Sequence, residues 1–180
     1  MEQPTPPPWC AESEPRRLRP VVGFITQGDD GPGIVAHDAV AARLDDLAER
    51  FGQRLSRLER AGLPVAGSSD FWLRLTLVDG DDAVIGFPWY DTFAEIDHFL
   101  VHVLQGVNSG DGWFDEDQGW ELHTWFTASS LHLREAVTGV NVVTEREPFT
   151  LRAAALREEV PEAIALLAGR LGSDPWTGAR

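Results

Sequence analysis

One long amphipathic segment constrains the fold of this chain more than any other feature of its sequence. Between residues 36 and 61, apolar side chains recur every three or four positions, at Val40, Leu44, Leu47, Phe51, Leu55 and Leu58. This spacing places them on one face of an α-helix. Asp46 and Arg50 stand four residues apart on the opposite face, and Gly62 followed by Pro64 ends the segment. The pattern predicts a helix that packs on a core through one side or, alternatively, pairs with a partner helix.

Alternating apolar and polar residues predict β-strands elsewhere in the chain. The predicted strands cover residues 19–26, 71–77, 83–87, 120–126, 131–135 and 140–144. A glycine-rich turn at residues 28–33 follows the first strand and opens toward the long helix. Two further helices are predicted at 92–106 and 147–171, and Pro161 should kink or divide the second, because proline removes a backbone donor. This order predicts an α+β fold, with a largely antiparallel sheet of about five to six strands packed with three helices.

Length and composition indicate one folded domain between flexible ends. The chain has 180 residues, of which 43% are hydrophobic, which suffices for one core. Residues 1–18 are rich in proline and are predicted to form a disordered leader, in which Trp9 is the only hint of a docking element. Residues 19–172 are predicted to form a single α+β domain, and residues 173–180 a flexible tail. Because the leader lacks the apolar core of a signal peptide and no long uncharged apolar run occurs, we expect a cytoplasmic protein.

The residue inventory excludes several catalytic chemistries. All 15 basic residues are arginine, so a lysine Schiff base, a phosphate-loop lysine and a Ser-Lys pair are absent. The single cysteine, Cys10, allows neither a disulfide nor a cysteine-based zinc site within one chain. The glycine-rich turn at residues 28–33 contains two aspartates and no following lysine, which argues against a phosphate-binding loop.

Most of the negative charge lies in the middle of the chain. The formal net charge is −14, and residues 63–146 hold 14 acids against three arginines, which accounts for −11 of it. Such a charge repels nucleic-acid phosphates and anionic membrane surfaces, so we expect no direct binding to either. A basic protein is the complementary partner. The composition, rich in arginine and alanine and without lysine, is compatible with a GC-rich bacterial gene.

The most acidic stretch is DGWFDEDQGWE, residues 111–121, with five acids and two tryptophans. Asp115, Asp117 and Gly119 echo the opening of a calcium loop, but Trp120 stands where that loop needs its glycine. Carboxylate pairs such as Asp115 with Glu121, or Asp111 with Asp117, could act as a general acid and base. Carboxylates packed this densely on a loop usually face water, which sets none of them apart for catalysis.

Strand alternation predicts an unusual outer face for the second hairpin. If Leu122, Thr124 and Phe126 point inward with Leu131 and Leu133, then Glu121, His123, Trp125, His132 and Arg134 point outward. Trp72 and Arg74 are placed outward in the first hairpin by the same rule. Exposed aromatic residues concentrate at interfaces, so this face is either a partner surface or is covered by the third helix.

Histidines suggest two enzyme-like alternatives. His98 and His102 lie four residues apart on the second predicted helix, together with Glu95, and could bind one metal ion. Phe99 stands where a metalloprotease motif needs glutamate, so a third ligand such as His123 would have to come from a remote position. Ser129 and Ser130 adjoin His132, but they occupy a predicted hairpin turn that favours serine for backbone reasons.

These observations favour a non-enzymatic protein that binds a basic partner, such as a toxin or a nucleic-acid-binding protein. The predicted partner-binding residues are Asp111, Trp113, Asp115, Glu116, Asp117, Trp120, Glu121, His123 and Trp125. No catalytic residue, metal or cofactor is assigned. A small acidic α+β protein with such an edge resembles the general type of bacterial immunity protein that occludes the active site of a basic toxin. The alternatives are a metal-dependent enzyme using His98 and His102, and an adaptor that oligomerises through the long helix and the leader.

Overall fold

The computed structural model describes residues 5–28, 31–65, 68–88, 92–106, 113–115 and 119–177. Within these residues, its strands and α-helices are β1 (Glu14–Pro15), β2 (Leu18–Gly28), β3 (Gly31–Ala36), α1 (Leu44–Ala61), β4 (Leu73–Asp79), β5 (Asp82–Gly86), α2 (Phe93–Gln105), β6 (Trp113–Asp115), β7 (Trp120–Phe126), β8 (Ser130–Glu135), β9 (Asn141–Glu145) and α3 (Arg146–Leu171). Short 3-10 helices occupy Pro8–Glu12, His37–Ala39, Ala41–Arg43 and Ser69–Phe71. The predicted α+β class is confirmed.

The strands form two sheets rather than the single sheet expected from the sequence. One has five strands in the order β1-β9-β8-β7-β6, and the other has four in the order β3-β2-β4-β5. The hairpins are antiparallel, and β1 runs parallel to β9. One added strand is β3, which pairs with β2 from Gly23 opposite Ala36 to Gly28 opposite Gly31. The glycine-rich segment therefore continues a hairpin instead of leading directly into the long helix.

Helix α1 buries the face that its periodicity predicts. Leu47, Phe51, Leu55 and Leu58 are all buried, as is Val40 just before the helix. The helix begins at Leu44 and not near residue 36, because the preceding residues form two 3-10 turns. It ends at Gly62, whose φ of +65° lets its N–H reach the carbonyl groups of Leu58 and Glu59.

Helix α3 runs without a break from Arg146 to Leu171 and contains Pro161. Of the two outcomes predicted for this proline, a kink or a division of the helix, the division is wrong. The missing N–H costs one backbone hydrogen bond. The side chains on both sides of the proline, Val160, Ala163 and Ile164, are buried, and their packing favours a continuous helix. Among the described residues, no helix is long and apolar enough to cross a membrane.

Residue contacts divide the chain into two compact units. The first comprises Met1–Pro20, Thr76–Pro88 and Phe99–Ala154, and the second comprises Val21–Leu75, Trp89–His98 and Ala155–Arg180. The first unit contains the whole five-stranded sheet. In its core, the Phe87 ring centroid lies 4.7 Å from that of Phe99 and 5.0 Å from that of Trp120.

The core of the second unit is built around Trp176. This side chain is fully buried, and its ring makes edge-on contacts with Phe24, Phe51 and Phe71 at centroid distances of 5.6, 5.0 and 5.6 Å. The Trp176 carbonyl accepts a hydrogen bond from the Phe93 N–H. The expectation of a flexible tail at 173–180 therefore does not describe this residue. A large aromatic ring gains more free energy from burial than ordering its short segment costs.

The N-terminal segment is also ordered where the sequence suggested a disordered leader. Pro8–Glu12 is a 3-10 helix, and Glu14 and Pro15 pair with Val142 and Val143 of β9. The Asn141 side-chain amide donates to the Trp9 carbonyl oxygen at 2.8 Å. Proline-rich composition predicts disorder only when no partner surface is available, and the edge of β9 supplies one.

Candidate functional site

The two buried tryptophans of β7 do not serve as exposed anchors. Trp120 and Trp125 are only 7% and 5% exposed. The alternation that placed Trp125 outward fails as a guide to exposure because Thr124, Trp125 and Phe126 are buried in succession, so both faces of the strand are covered there. This corrects their predicted role in the folded chain.

The structure describes part of the acidic stretch at residues 111–121. Asp111, Glu116 and Asp117 lie outside the described residues. Trp113 and Asp115 belong to β6, which is described by its backbone and pairs with β7 through Leu122 and Trp120. Glu121 and His123 are described, half-buried and paired with each other, with His123 Nε2 2.7 Å from Glu121 Oε1.

The N-terminal segment lies against the outer face of β7 and β8. The Trp9 ring centroid is 6.4 Å from that of His123 and 6.4 Å from that of His132. The hydroxyl of Ser13 lies 3.1 Å from His132 Nδ1 and 2.9 Å from Asn141 Oδ1. Predicted outward residues of this hairpin are therefore in contact with a segment that the sequence suggested to be disordered.

The contact between Ser13 and His132 is a structural hydrogen bond and not a catalytic pair. Because the Trp9 carbonyl can only accept, the Asn141 amide must point its Nδ2 toward it, which leaves Oδ1 to accept the Ser13 hydroxyl proton. His132 Nδ1 then carries a proton and donates it to the Ser13 oxygen. A ring nitrogen that already holds a proton cannot remove one from serine, so this pair is not an activated nucleophile. Burial lowers the pKa of His132.

An acidic groove of about 570 Å³ opens beside this segment in the first unit. Its lining contains Glu12, Glu14, Arg16 and Asp82, together with residues 83–84 and 139–142. Strands β1 and β5 each contribute, and each is the outermost strand of its sheet. The groove therefore combines carboxylates with strand edges, whose backbone groups are able to pair with an added chain.

The charges of the groove are only partly balanced. Arg16 contacts Glu14 at 2.8 Å and Asp79 at 3.7 Å, which are its ion-pair partners. The side chains of Glu12 and Asp82 make no hydrogen bond or ion pair within the part of the chain that the structure describes. The lining thus contains three carboxylates and one guanidinium group, and the carboxylates of Glu12 and Asp82 are open to a cationic ligand.

A hydrogen-bonded turn borders this groove at Gly139. The buried carboxylate of Glu135 accepts hydrogen bonds from the backbone N–H groups of Val137 and Thr138 at 2.8 and 2.9 Å, and from the Thr138 hydroxyl. Gly139 has a φ of +75° and donates its N–H to the Glu135 carbonyl. This conformation strains any residue with a β-carbon, so glycine keeps the turn in place beside Val140 and Asn141.

The two histidines of the predicted metal site lie in different surroundings. His98 is exposed and lies 3.5 Å from Glu95. His102 Nε2 lies 2.8 Å from the Thr124 hydroxyl oxygen, and burial lowers the pKa of His102. Within residues 5–28, 31–65, 68–88, 92–106, 113–115 and 119–177, no group of three metal-ligating side chains comes together. Ser129 lies in the β7–β8 turn and Ser130 begins β8, and both donate their backbone N–H groups to the Thr127 hydroxyl.

The contacts of one buried histidine, His37, could not be predicted from the sequence. His37 is 4% exposed, with Nδ1 3.0 Å from the Val22 carbonyl oxygen and Nε2 3.0 Å from Glu159 Oε2. Its partners lie 15 and 122 residues away, so no local pattern could have identified them.

No protein-family model, curated protein or solved structure matches this chain. The function must therefore be inferred from the chemistry of the described groups and not from homology. Among these groups, the acidic groove is the place where described carboxylates stand open beside free strand edges.

Proposed function

We propose that this chain is a non-enzymatic binding protein of the immunity or inhibitor type, and that its partner is a basic protein. The single observation that carries the proposal is the pair of open carboxylates, Glu12 and Asp82, in the acidic groove. Glu12 and Asp82 are exposed, so a guanidinium or ammonium group can reach both carboxylates and form charge-assisted hydrogen bonds with them. A cationic ligand therefore fits this groove better than a neutral or anionic one.

The strand edges beside the carboxylates favour an extended segment of the partner. β5 is the outermost strand of its sheet and contributes Asp82, Ala83 and Val84 to the lining. An extended chain can add hydrogen bonds along such an edge while its side chains alternate between the groove and solvent. Basic residues at every second position of the partner would then meet the carboxylates.

The acidic stretch at residues 111–121 supports the same function at longer range. It contributes five acids to a chain whose net charge is −14. A field of one sign raises the association rate of an oppositely charged protein and is weakened by salt. We therefore assign attraction to the acidic stretch, and specific contact to the groove.

A labelled peptide of alternating arginine and valine tests this proposal, with a glutamine–valine peptide as the uncharged control. Wild-type protein should bind the basic peptide in low salt and bind it more weakly in high salt. The Glu12→Gln, Asp82→Asn double variant should weaken binding by about tenfold or more, because it removes two charge-assisted contacts. Changing Asp111, Asp115, Glu116 and Asp117 to their amides should mainly slow association.

The matched control is Glu158→Gln with Glu162→Gln, which removes two exposed charges from α3 outside the groove. This variant should keep nearly wild-type affinity. If the groove variant also kept its affinity, or if the control lost as much, the groove would not be the contact site. Equal binding of the two peptides would contradict a basic partner altogether.

A further inference from the structure

A second polar cavity lies in the other compact unit and has the opposite charge. It is an open depression with a volume of about 320 Å³, lined by Arg50, Gln53, Arg54, Arg57 and Arg60. All five residues belong to α1, and their spacing of three or four positions places them along one face of the helix. This face carries four arginines, whereas the chain as a whole has a net charge of −14.

The arginines of this face are only partly neutralised. Arg50 donates to Asp46 at 2.8 Å, and Arg57 donates to Asp70 at 2.6 Å. Asp46 is shared with Arg43, and this pairing lowers the pKa of Asp46 through hydrogen bonds from Arg50 and Arg43. Arg60 donates to the carbonyl oxygen of Ser56 and has no carboxylate partner within the described residues. Like charges at this spacing repel, so the helix carries an electrostatic cost that an anion would relieve.

Arg54 is the most unusual of the four. Its side chain is 7% exposed and lies 5.0 Å from the centroid of the Phe51 ring. One terminal nitrogen, Nη1, donates to the carbonyl oxygens of Ile25 and Asp70 at 3.0 and 2.6 Å. The other, Nη2, is buried and has no hydrogen-bond partner in the part of the chain that the structure describes.

A buried guanidinium nitrogen without an acceptor is costly, because desolvation is not repaid. Burial lowers the pKa of Arg54, opposed by the nearby Asp70 carboxylate and reinforced by Arg57 and Arg50. Arginine nevertheless stays protonated at neutral pH, so the charge remains in the cavity.

We propose that the arginine cavity binds a phosphate group, either as free phosphate or as the monoester of a small molecule. The planar, forked donors of arginine match the oxygens of a tetrahedral phosphate, and Arg54 places a largely buried positive charge in the lining of the cavity. Arg57 and Arg60 supply flanking donors, and the Gln53 amide supplies an uncharged donor. The volume suits a small ligand. A nucleic acid is disfavoured because the chain's net charge of −14 repels a polyanion.

Titration calorimetry of the full chain with inorganic phosphate, and separately with phenyl phosphate, tests this proposal in chloride buffers of matched ionic strength. Saturable binding of at least one ligand is expected. Binding of both indicates a phosphate site that admits a substituent, whereas binding of phenyl phosphate alone indicates a monoester site. Arg60→Gln should weaken binding by about tenfold, because it removes a charged donor from the wall of the cavity.

The control variant is Arg43→Gln, which removes an equal charge beside the same Asp46 carboxylate and does not line the cavity. It should bind phosphate with wild-type affinity. Arg54→Gln should abolish binding if it folds, but Arg60→Gln decides the question even if it does not, because Arg60 is exposed. Absence of saturable binding in the wild type, or an equal loss in Arg43→Gln and Arg60→Gln, would overturn the proposal.

This inference is independent of the proposed binding of a basic protein. The Glu12→Gln, Asp82→Asn variant should take up phosphate as the wild type does, because its substitutions lie in the first unit and the arginine cavity belongs to the second. Either proposal can therefore fail without affecting the other.

Discussion

His132 Nδ1 lies 3.1 Å from the hydroxyl oxygen of Ser13, which is 119 residues earlier in the chain. Together with the bond from the Asn141 amide to the Trp9 carbonyl, it fastens the N-terminal segment to β8 and β9. Because Glu12 and Glu14 belong to this segment, the same contacts fix two of the carboxylates in the acidic groove. The fastening therefore determines whether the proposed binding site exists in its described form.

Replacing Ser13 with alanine should loosen this segment. The change removes an acceptor for His132 and a donor for Asn141, and we expect the free energy of unfolding to fall by about 1–2 kcal/mol. Urea denaturation measures the loss, and hydrogen exchange should rise in residues 9–15. Ser129→Ala, an exposed turn position, is the matched control and should be nearly neutral. A neutral Ser13→Ala variant with unchanged exchange would contradict the proposed role.

The stability of the chain should depend on pH through its buried histidines. Burial lowers the pKa of both His102 and His132 from the ordinary value of 6.5, so the unfolded state binds protons more readily than the folded state. By linkage, their contribution is fully present above about pH 6.5 and is lost as the pH falls through the lower pKa values of the folded state.

Replacing His102 with glutamine should make the free energy of unfolding less dependent on pH. At pH 7.5 it should also lower that free energy by about 1 kcal/mol, because the hydrogen bond to Thr124 is weakened. The measurement is urea denaturation at a series of pH values between 7.5 and 5.5. His98→Gln removes an exposed imidazole from the same helix and should retain the wild-type pH dependence. A His102→Gln profile with the wild-type slope would show that this histidine does not carry the effect.

Truncating Trp176 to alanine should be among the most destabilising single changes. The ring is fully buried against Phe24, Phe51 and Phe71, and deletion of such a side chain typically costs about 3–5 kcal/mol. Trp176→Phe should cost less, because it keeps an aromatic ring and removes an indole nitrogen that has no partner among the described residues. Thermal and urea denaturation provide the comparison. A loss below about 1 kcal/mol in the alanine variant would indicate that the segment contributes little to the core.

Elements whose signal is local were predictable from the sequence. The buried face of α1 follows from a repeat of three and four residues, and the β7–β8 hairpin follows from alternation around a turn. The arginine cavity also has a local signal, since Arg50, Arg54, Arg57 and Arg60 share one helical face. That signal alone could not distinguish a solvated face from a cavity, because the burial of Arg54 depends on Ile25 and Asp70.

The two ends of the chain show where local patterns stop being informative. Composition alone predicted a disordered leader and a flexible tail, whereas Trp9 contacts the rings of His123 and His132, and Trp176 completes an aromatic core. Trp125 illustrates the same limit, because alternation assigns a side to a residue but does not state what covers that side.

The sequence by itself determined the α+β class, the helical face of α1, the hairpins and the strong negative charge, because each depends on residue spacing or on counting. Only the tertiary structure decided that the strands form two sheets, that Glu12 and Asp82 line one groove, and that Arg54 is buried with an unpartnered nitrogen. These features join residues tens to more than a hundred positions apart. Their formation depends on long-range packing that repays the entropy of closing large loops, and no local pattern records that balance.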